Sequence, residues 1–286
     1  MITLKSYAKI NITLDLVGKR EDGYHLLRSV MQKVSLCDYV SVSKSKQDIK
    51  IKCNRKYIPT DERNIAYRAA AAFFKASGVD GGCDITLRKY IPCGAGLGGG
   101  SSNGAAVFDA LCSLYKVDFT ADQKSEILQS VGADVPFFFY GGTSLIEGIG
   151  EKVTPLKTFP DCRILIVKPP VSLSTAAIFS SPLVKNGFGT NSTDKVIDAI
   201  NNCDLDGVLN HAYNALESAS ISEAPVISDI KQELVQNGAE FAMMSGSGSA
   251  VYGIFKNMKS CKTAYDKMIL KHKDTYITKP INEHAE

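Results

Sequence analysis

The chain has 286 residues, 44% hydrophobic and 22% charged, a balance that supports a sizeable folded core and excludes a disordered or fibrous polypeptide. A formal net charge of +3 is too small to argue for nucleic acid, and no apolar run approaches the ~20 residues of a membrane span. The eight scattered cysteines form no C-x-x-C pair and have no histidine at metal-ligand spacing, which speaks against a zinc site and a disulfide framework.

From the N-terminus, Met1-Ile2-Thr3-Leu4-Lys5 lacks a signal or transit segment, so a cytoplasmic protein with reduced thiols and no membrane partner is expected. Ile49, Ile51 and Cys53 alternate with Lys50 and Lys52, and Ile85 and Leu87 alternate with Asp84, Thr86 and Arg88. Both patterns predict strands with one buried face. Asn64 is a good N-cap for a helix carrying Ile65, Ala69 and Phe73 on one side. A second helix is expected to open at about Ser101, with Val107, Phe108, Leu111, Leu114 and Tyr115 as its apolar stripe. Past Lys157, the unbroken run Ile164-Leu165-Ile166-Val167 suits a buried strand, and Pro169-Pro170 ends it. Helices are expected around 192–201 and 224–236, a strand near 239–244, a loop at Ser245-Gly246-Ser247-Gly248-Ser249, a strand from Val251 to Phe255, and a helix at about 258–270. Strands and helices mix throughout, so the class is α+β, with an expected division into residues 1–156 and 157–286. His211, His272 and His284 have no partner pattern and read as structural or surface residues.

The most informative stretch is Pro92-Cys93-Gly94-Ala95-Gly96-Leu97-Gly98-Gly99-Gly100-Ser101-Ser102-Asn103. It joins a predicted strand to a predicted helix, where unpaired backbone N–H groups carry the positive end of the dipole. Glycines let that backbone approach a phosphate closely, and Ser101 and Ser102 add hydroxyls suited to phosphate oxygens or to Mg²⁺ through water. No Gly-Lys-Ser/Thr ends the run, so it is not a Walker A loop. Gly94 to Gly99 fits G-x-G-x-x-G formally, but Asp109 falls inside the helix and Asp118 and Asp122 flank the next helix start. No acidic residue therefore closes a following strand, as a dinucleotide site requires. A plain flexible turn would not need five glycines in seven positions followed by two serines.

These residues resemble the GHMP kinases, whose signature P-x-G-x-G-L-G-S/G-S/G-S-S matches Pro92 to Ser102. Two further blocks match in order: Ser6-Tyr7-Ala8-Lys9-Ile10-Asn11 and Met244-Ser245-Gly246-Ser247-Gly248-Ser249. Arg20-Glu21-Asp22-Gly23-Tyr24-His25, Gly132-Ala133-Asp134-Val135-Pro136-Phe137-Phe138 and Glu147-Gly148-Ile149-Gly150-Glu151 are most similar to the branch acting on a cytidine diphosphate-linked methylerythritol. Gly104 departs from the usual alanine, at a helix cost of ~1 kcal/mol. Between 185 and 225 only Asn214-Ala215-Leu216-Glu217 aligns, loosely.

The resemblance implies a ribosomal-protein-S5-like N-terminal domain, a ferredoxin-like C-terminal domain, a site in the cleft between them, and ATP with Mg²⁺. It implies that Lys9 and Asp134 are catalytic and face each other beside the γ-phosphate, the carboxylate taking the proton of the substrate hydroxyl and the lysine stabilising the transferring group. On spacing alone, Asp134 before Val-Pro reads equally as a turn or cap residue. Lys89, Pro92, Gly94, Gly96, Leu97, Gly98, Gly99, Gly100, Ser101 and Ser102 are the implied nucleotide contacts. Tyr24 and His25 would contact the cytidine, with His25 reading the base edge, although Tyr-His after Asp-Gly also suits an exposed turn. Asn11 would hold the sugar alcohol or its diphosphate, and Phe179 would stack on cytosine or pack in the core. Ser245, Gly246 and Ser247 would line the substrate site or cap the glycine loop. Whether protein side chains hold Mg²⁺, and which oligomer forms, stay open. Homoserine and mevalonate kinases typically lack the Asp-Gly-Tyr-His segment, and inactive ligand-sensing relatives usually lose the lysine, the aspartate or the loop serines, all present here.

Overall fold

The structure is a computed structural model that describes residues 1–187 and 190–282; His284 lies outside the described residues. In chain order its first elements are β1 (Ile2–Asn11), β2 (Thr13–Lys19), β3 (His25–Ser45), β4 (Ile49–Cys53), α1 (Ile65–Ser77), β5 (Gly82–Arg88) and α2 (Gly99–Tyr115). Next come α3 (Ala121–Val131), α4 (Val135–Tyr140), β6 (Thr143–Gly148), β7 (Lys152–Pro155), β8 (Arg163–Lys168), α5 (Thr175–Ser180), α6 (Ser192–Asn201), α7 (Leu205–His211) and β9 (Tyr213–Asn214). The chain finishes with α8 (Glu217–Glu223), α9 (Val226–Gln236), β10 (Phe241–Met244), β11 (Val251–Phe255), α10 (Met258–Lys271) and β12 (Asp274–Thr278).

These elements form two compact units, each built from three stretches of chain. Unit 1 comprises Met1–Ala8, Cys37–Ile91 and Gly98–Tyr140; unit 2 comprises Lys9–Leu36, Pro92–Leu97 and Gly141–Glu286. The expected boundary after residue 156 falls within unit 2, and the glycine run passes from unit 2 to unit 1 between Leu97 and Gly98.

In unit 1, β4 runs parallel to β5 and β5 antiparallel to the second half of β3, so that Ile51 and Val42 both sit opposite Ile85. The period-two pattern turns Ile85 and Leu87 into the core. Asn64 caps α1, its Oδ1 accepting the Ala66 N–H at 2.9 Å. Helix α1 lies against α2, with the Phe73 and Phe108 rings edge to face at 5.8 Å. Gly104 makes that approach possible, because a Cβ there would stand 2.8 Å from Ile65 Cγ2. The residue that weakens α2 as a helix thus permits its packing. The helix opens two residues earlier than the sequence pattern suggests, with Gly98 in the left-handed region at φ 68° and no side chain capping the end.

Unit 2 holds two sheets. In the first, β2, the first half of β3, β6 and β7 pair antiparallel in that order, with a bulge in β2 between Leu16 and Gly18. The second is the antiparallel sheet β10-β11-β8-β12. Its inner strand β8 explains the unbroken apolar run, since Ile164, Leu165, Ile166 and Val167 are all buried. Leu165 and Val167 join a core with Ile227, Ile230 and Leu234 of α9 and Cys261, Ala264 and Met268 of α10. Among the described residues no helix is long and apolar enough to cross a membrane, and all eight cysteines are free thiols.

Candidate active site

In unit 2, the first part of the glycine run is locked to the Ser245–Ser249 loop. The Ser245 hydroxyl donates to Gly96 O at 2.9 Å, and the Ala250 N–H donates to Ala95 O at 3.2 Å. The contact leaves no room for a side chain: a Cβ on Gly96, whose φ is +73°, would lie 2.0 Å from Ser245 O. Asn214 holds the other side of the loop, its Nδ2 donating to Met244 O at 2.9 Å and to Gly246 O at 2.8 Å. Glu217 accepts the Met244 N–H at 2.8 Å and is itself paired with Lys231 at 2.5 Å. The loosely aligned Asn214-Ala215-Leu216-Glu217 is therefore the scaffold of this loop. Ser245 is buried with its hydroxyl spent inside the protein, and Ser247 meets Thr175 at 2.9 Å.

Lys9 and Asn11 sit beside that loop. The Lys9 N–H donates to Leu97 O at 3.0 Å, and a Cβ on Gly246 would lie 3.3 Å from Asn11 Oδ1 and 3.4 Å from Lys9 Nζ. The Lys9 ammonium donates to Asn11 Oδ1 at 2.5 Å, while Asn11 Nδ2 donates to Ser29 Oγ at 2.9 Å. Asn11, expected to hold the sugar alcohol or its diphosphate, is tied to the protein in this way. It is buried and each end of its amide already has a protein partner. Gly94 is exposed near Ser172, Pro92 is half-buried, and Leu97 is inside the core.

In unit 1, Gly98, Gly99, Gly100, Ser101 and Ser102 form the start of α2. Lys89 lies beneath this start, with its ammonium turned inward. Its Nζ pairs with Asp38 and donates to Asn103 Oδ1 at 2.7 Å, and the Lys89 and Asp38 side chains are 5% and 0% exposed. Asp38 also accepts the backbone N–H groups of Tyr90 and Ile91 at 2.7 and 2.8 Å. Asn103 Nδ2 donates to Ser6 Oγ, which donates to Ser102 Oγ at 2.7 Å. This buried network fixes the helix start from below. Asp134 is half-buried, in the turn that leads into α4, where the Val135 N–H closes on Gly132 O at 3.0 Å.

Tyr24, His25 and Phe179 line one cavity of about 700 Å³ in unit 2, together with Lys19, Asp22, Leu27, Ile149 and Thr175. The His25 and Phe179 rings lie 5.6 Å apart, tilted by 35°. Phe179 also packs against the core. Tyr24 is exposed, and Arg20 pairs with Asp22 at 2.8 Å. Burial, and secondarily the charge of Lys19, lowers the His25 pKa below 6.5. The neutral imidazole offers one donor and one acceptor, as a base edge requires.

Family models described as "GHMP kinases N terminal domain" and "GHMP kinases C terminal" match residues 64–142 and 196–272. The chain belongs to the GHMP kinases. It is 42% identical to the 4-diphosphocytidyl-2-C-methyl-D-erythritol kinase of Clostridium beijerinckii, over 97% of this chain and 99% of that one. The kinase of the same name from Clostridium novyi matches equally, at 42% over 97% and 99%. A crystal structure of 4-(cytidine 5'-diphospho)-2C-methyl-D-erythritol kinase superposes with a TM-score of 0.83 at 29% identity, covering 98% of this chain and 99% of the other. A homoserine kinase from Cytophaga hutchinsonii, at 16% identity and TM-score 0.76 over 99% and 96% of the two chains, shares the fold.

As a GHMP kinase, this chain is an ATP-dependent small-molecule kinase with the family's two-domain α+β fold. In this GHMP kinase, residue patterns alone did not single out Asp38, Asn103, Ser6, Ser29 and Asn214 as site supports. Ser6 and Asn103 lay inside the quoted blocks and Asn214 in the loose one, whereas Asp38 and Ser29 carried no signal.

Proposed function

We propose that this kinase transfers the γ-phosphoryl group of ATP to the 2-hydroxyl of 4-diphosphocytidyl-2-C-methyl-D-erythritol, a step of non-mevalonate isoprenoid precursor synthesis giving the 2-phosphate and ADP. The observation that carries the reading is 42% identity, over nearly the full length, to kinases named for that acceptor. The cavity of Tyr24, His25 and Phe179 fits it, having a volume suited to a nucleotide and a ring pair against which cytosine can lie.

The nucleotide phosphates lie on the start of α2, where no side chain caps the helix and the dipole favours an anion. Asp134 accepts the proton of the acceptor hydroxyl, and Lys9 stabilises the transferring group. Among the described residues no His, Cys, Asp and Glu group is arranged to hold a metal ion. The donors present suit Mg²⁺ carried on the phosphates, with Ser101 as the hydroxyl at hand, and bound there it neutralises phosphate charge. Residues 1–156 serve as the ATP-binding portion and supply Tyr24 and His25 to the acceptor cavity, and 157–286 complete that cavity with Phe179. The free thiols suit a reducing cytoplasm.

A coupled ADP-release assay tests the reading. The protein, with ATP and Mg²⁺, is offered the cytidyl acceptor, mevalonate and homoserine in parallel. Turnover with the first alone is expected; turnover with either of the others, and none with the first, overturns it.

A further inference from the structure

We propose that Ser29 is a positioning residue for Lys9, acting through Asn11 by fixing which end of the Asn11 amide faces the ammonium. The proposal rests on the catalytic reading of Lys9. An ammonium can only donate hydrogen bonds, so the neighbouring amide must turn its oxygen toward it. The two ends of an asparagine amide have nearly the same shape, and partners rather than packing decide between them.

Asn11 has little freedom besides that rotation. Its backbone N–H is 3.3 Å from Ser245 Oγ, and its carbonyl accepts the Tyr252 hydroxyl at 2.9 Å. On the far side of the amide, Nδ2 donates to Ser29 Oγ at 2.9 Å. The single hydroxyl proton of Ser29 is given to Thr13 O at 2.5 Å, so toward Asn11 the oxygen can only accept. Thr13 is pinned in turn, its Oγ1 accepting the Val30 N–H at 2.9 Å and meeting Thr193 Oγ1 at 2.7 Å.

The chain Lys9 to Asn11 to Ser29 to Thr13 therefore has one polarity. Reversing the amide would set its NH₂ against the ammonium and its oxygen against a hydroxyl oxygen with no proton left. Lys9, Asn11 and Ser29 are 3%, 1% and 0% exposed, so either mismatch would fall on groups withdrawn from bulk solvent, where it costs most.

The test uses the full-length protein with Ser29→Ala, Ser29→Thr and Ser29→Cys. Ser29→Ala is expected to lower kcat by about tenfold to a hundredfold, the worth of one buried hydrogen bond next to a charge. KM for ATP and for the cytidyl acceptor should stay within about twofold. Ser29→Thr keeps the hydroxyl and should recover most of kcat. Ser29→Cys keeps the volume but bonds weakly, so it supplies the loss in kcat if the alanine variant does not fold. Independently of turnover, the Asn11 side-chain NH₂ resonances, assigned by their disappearance in Asn11→Asp, should exchange slowly with solvent in wild type and Ser29→Thr. In Ser29→Ala they should exchange fast. A folded Ser29→Ala with wild-type kcat, or with slow exchange retained, overturns the proposal. If wild type phosphorylates none of the acceptors, the functional reading fails, and the exchange measurement still decides the role of Ser29.

Discussion

Replacing Gly96 by alanine sets the glycine run against the loop that holds it. The new Cβ would arrive 2.0 Å from Ser245 O, so that carbonyl must retreat by roughly 1.5 Å to reach ordinary contact. A movement of that size breaks the bond from Ser245 Oγ to Gly96 O and those from Asn214 to Met244 O and Gly246 O, at about 1 kcal/mol each. The left-handed φ of +73° adds about 1–2 kcal/mol for any residue with a Cβ. The sum, about 4–5 kcal/mol, is a large share of a typical domain's stability. Urea denaturation measures it directly, and ATP-saturation kinetics should show a raised KM for ATP. Gly100→Ala is the control: there the φ is not left-handed, the closest atom would be Ile65 Cδ1 at 3.4 Å, and stability should hold or rise by up to ~1 kcal/mol. A loss below about 1 kcal/mol for Gly96→Ala, with KM for ATP unchanged, would refute the reasoning.

Asp134→Asn should lower kcat by several orders of magnitude while leaving the thermal midpoint nearly unmoved; near-normal turnover removes the base assignment. Lys89→Met should act on the fold, destabilising by about 3–5 kcal/mol in denaturant because it strands the Asp38 carboxylate in the core. A stable Lys89→Met protein with weakened ATP binding would instead restore Lys89 as a nucleotide contact. His25 has a folded-state pKa below 6.5, so its neutral form persists somewhat below that pH and is lost as pH falls through the lowered pKa. KM for the cytidyl acceptor should climb on that acid side while KM for ATP does not, and His25→Gln should abolish the difference; a matching rise in both would count against a role in reading the base.

Local patterns reported what each segment does by itself. The alternation at Ile49–Cys53, the cap at Asn64 and the glycine run were legible because each depends on neighbours within a few residues. The buried partners of Lys89 and Asn11 were not legible, for the opposite reason. Both residue types suit a ligand, but their partners, Asp38 and Ser29, come from a strand that no short motif marks. Gly104 shows the same limit from the side of packing, since helix propensity carries no information about Ile65 on another helix. The two compact units left no mark in a linear reading either, because each is assembled from separated stretches of chain.

That interleaving has a consequence for biosynthesis. Every segment of unit 1 has been synthesised once residue 140 is made, so its core can close on the nascent chain while the rest of unit 2 is still being added. Lys9 and Asn11 are made almost first, yet the two hydroxyls that hold the Asn11 backbone belong to Ser245 and Tyr252, more than two hundred positions later. The Asn11 backbone, and with it the amide that receives the Lys9 ammonium, is thus fixed only near the end of translation.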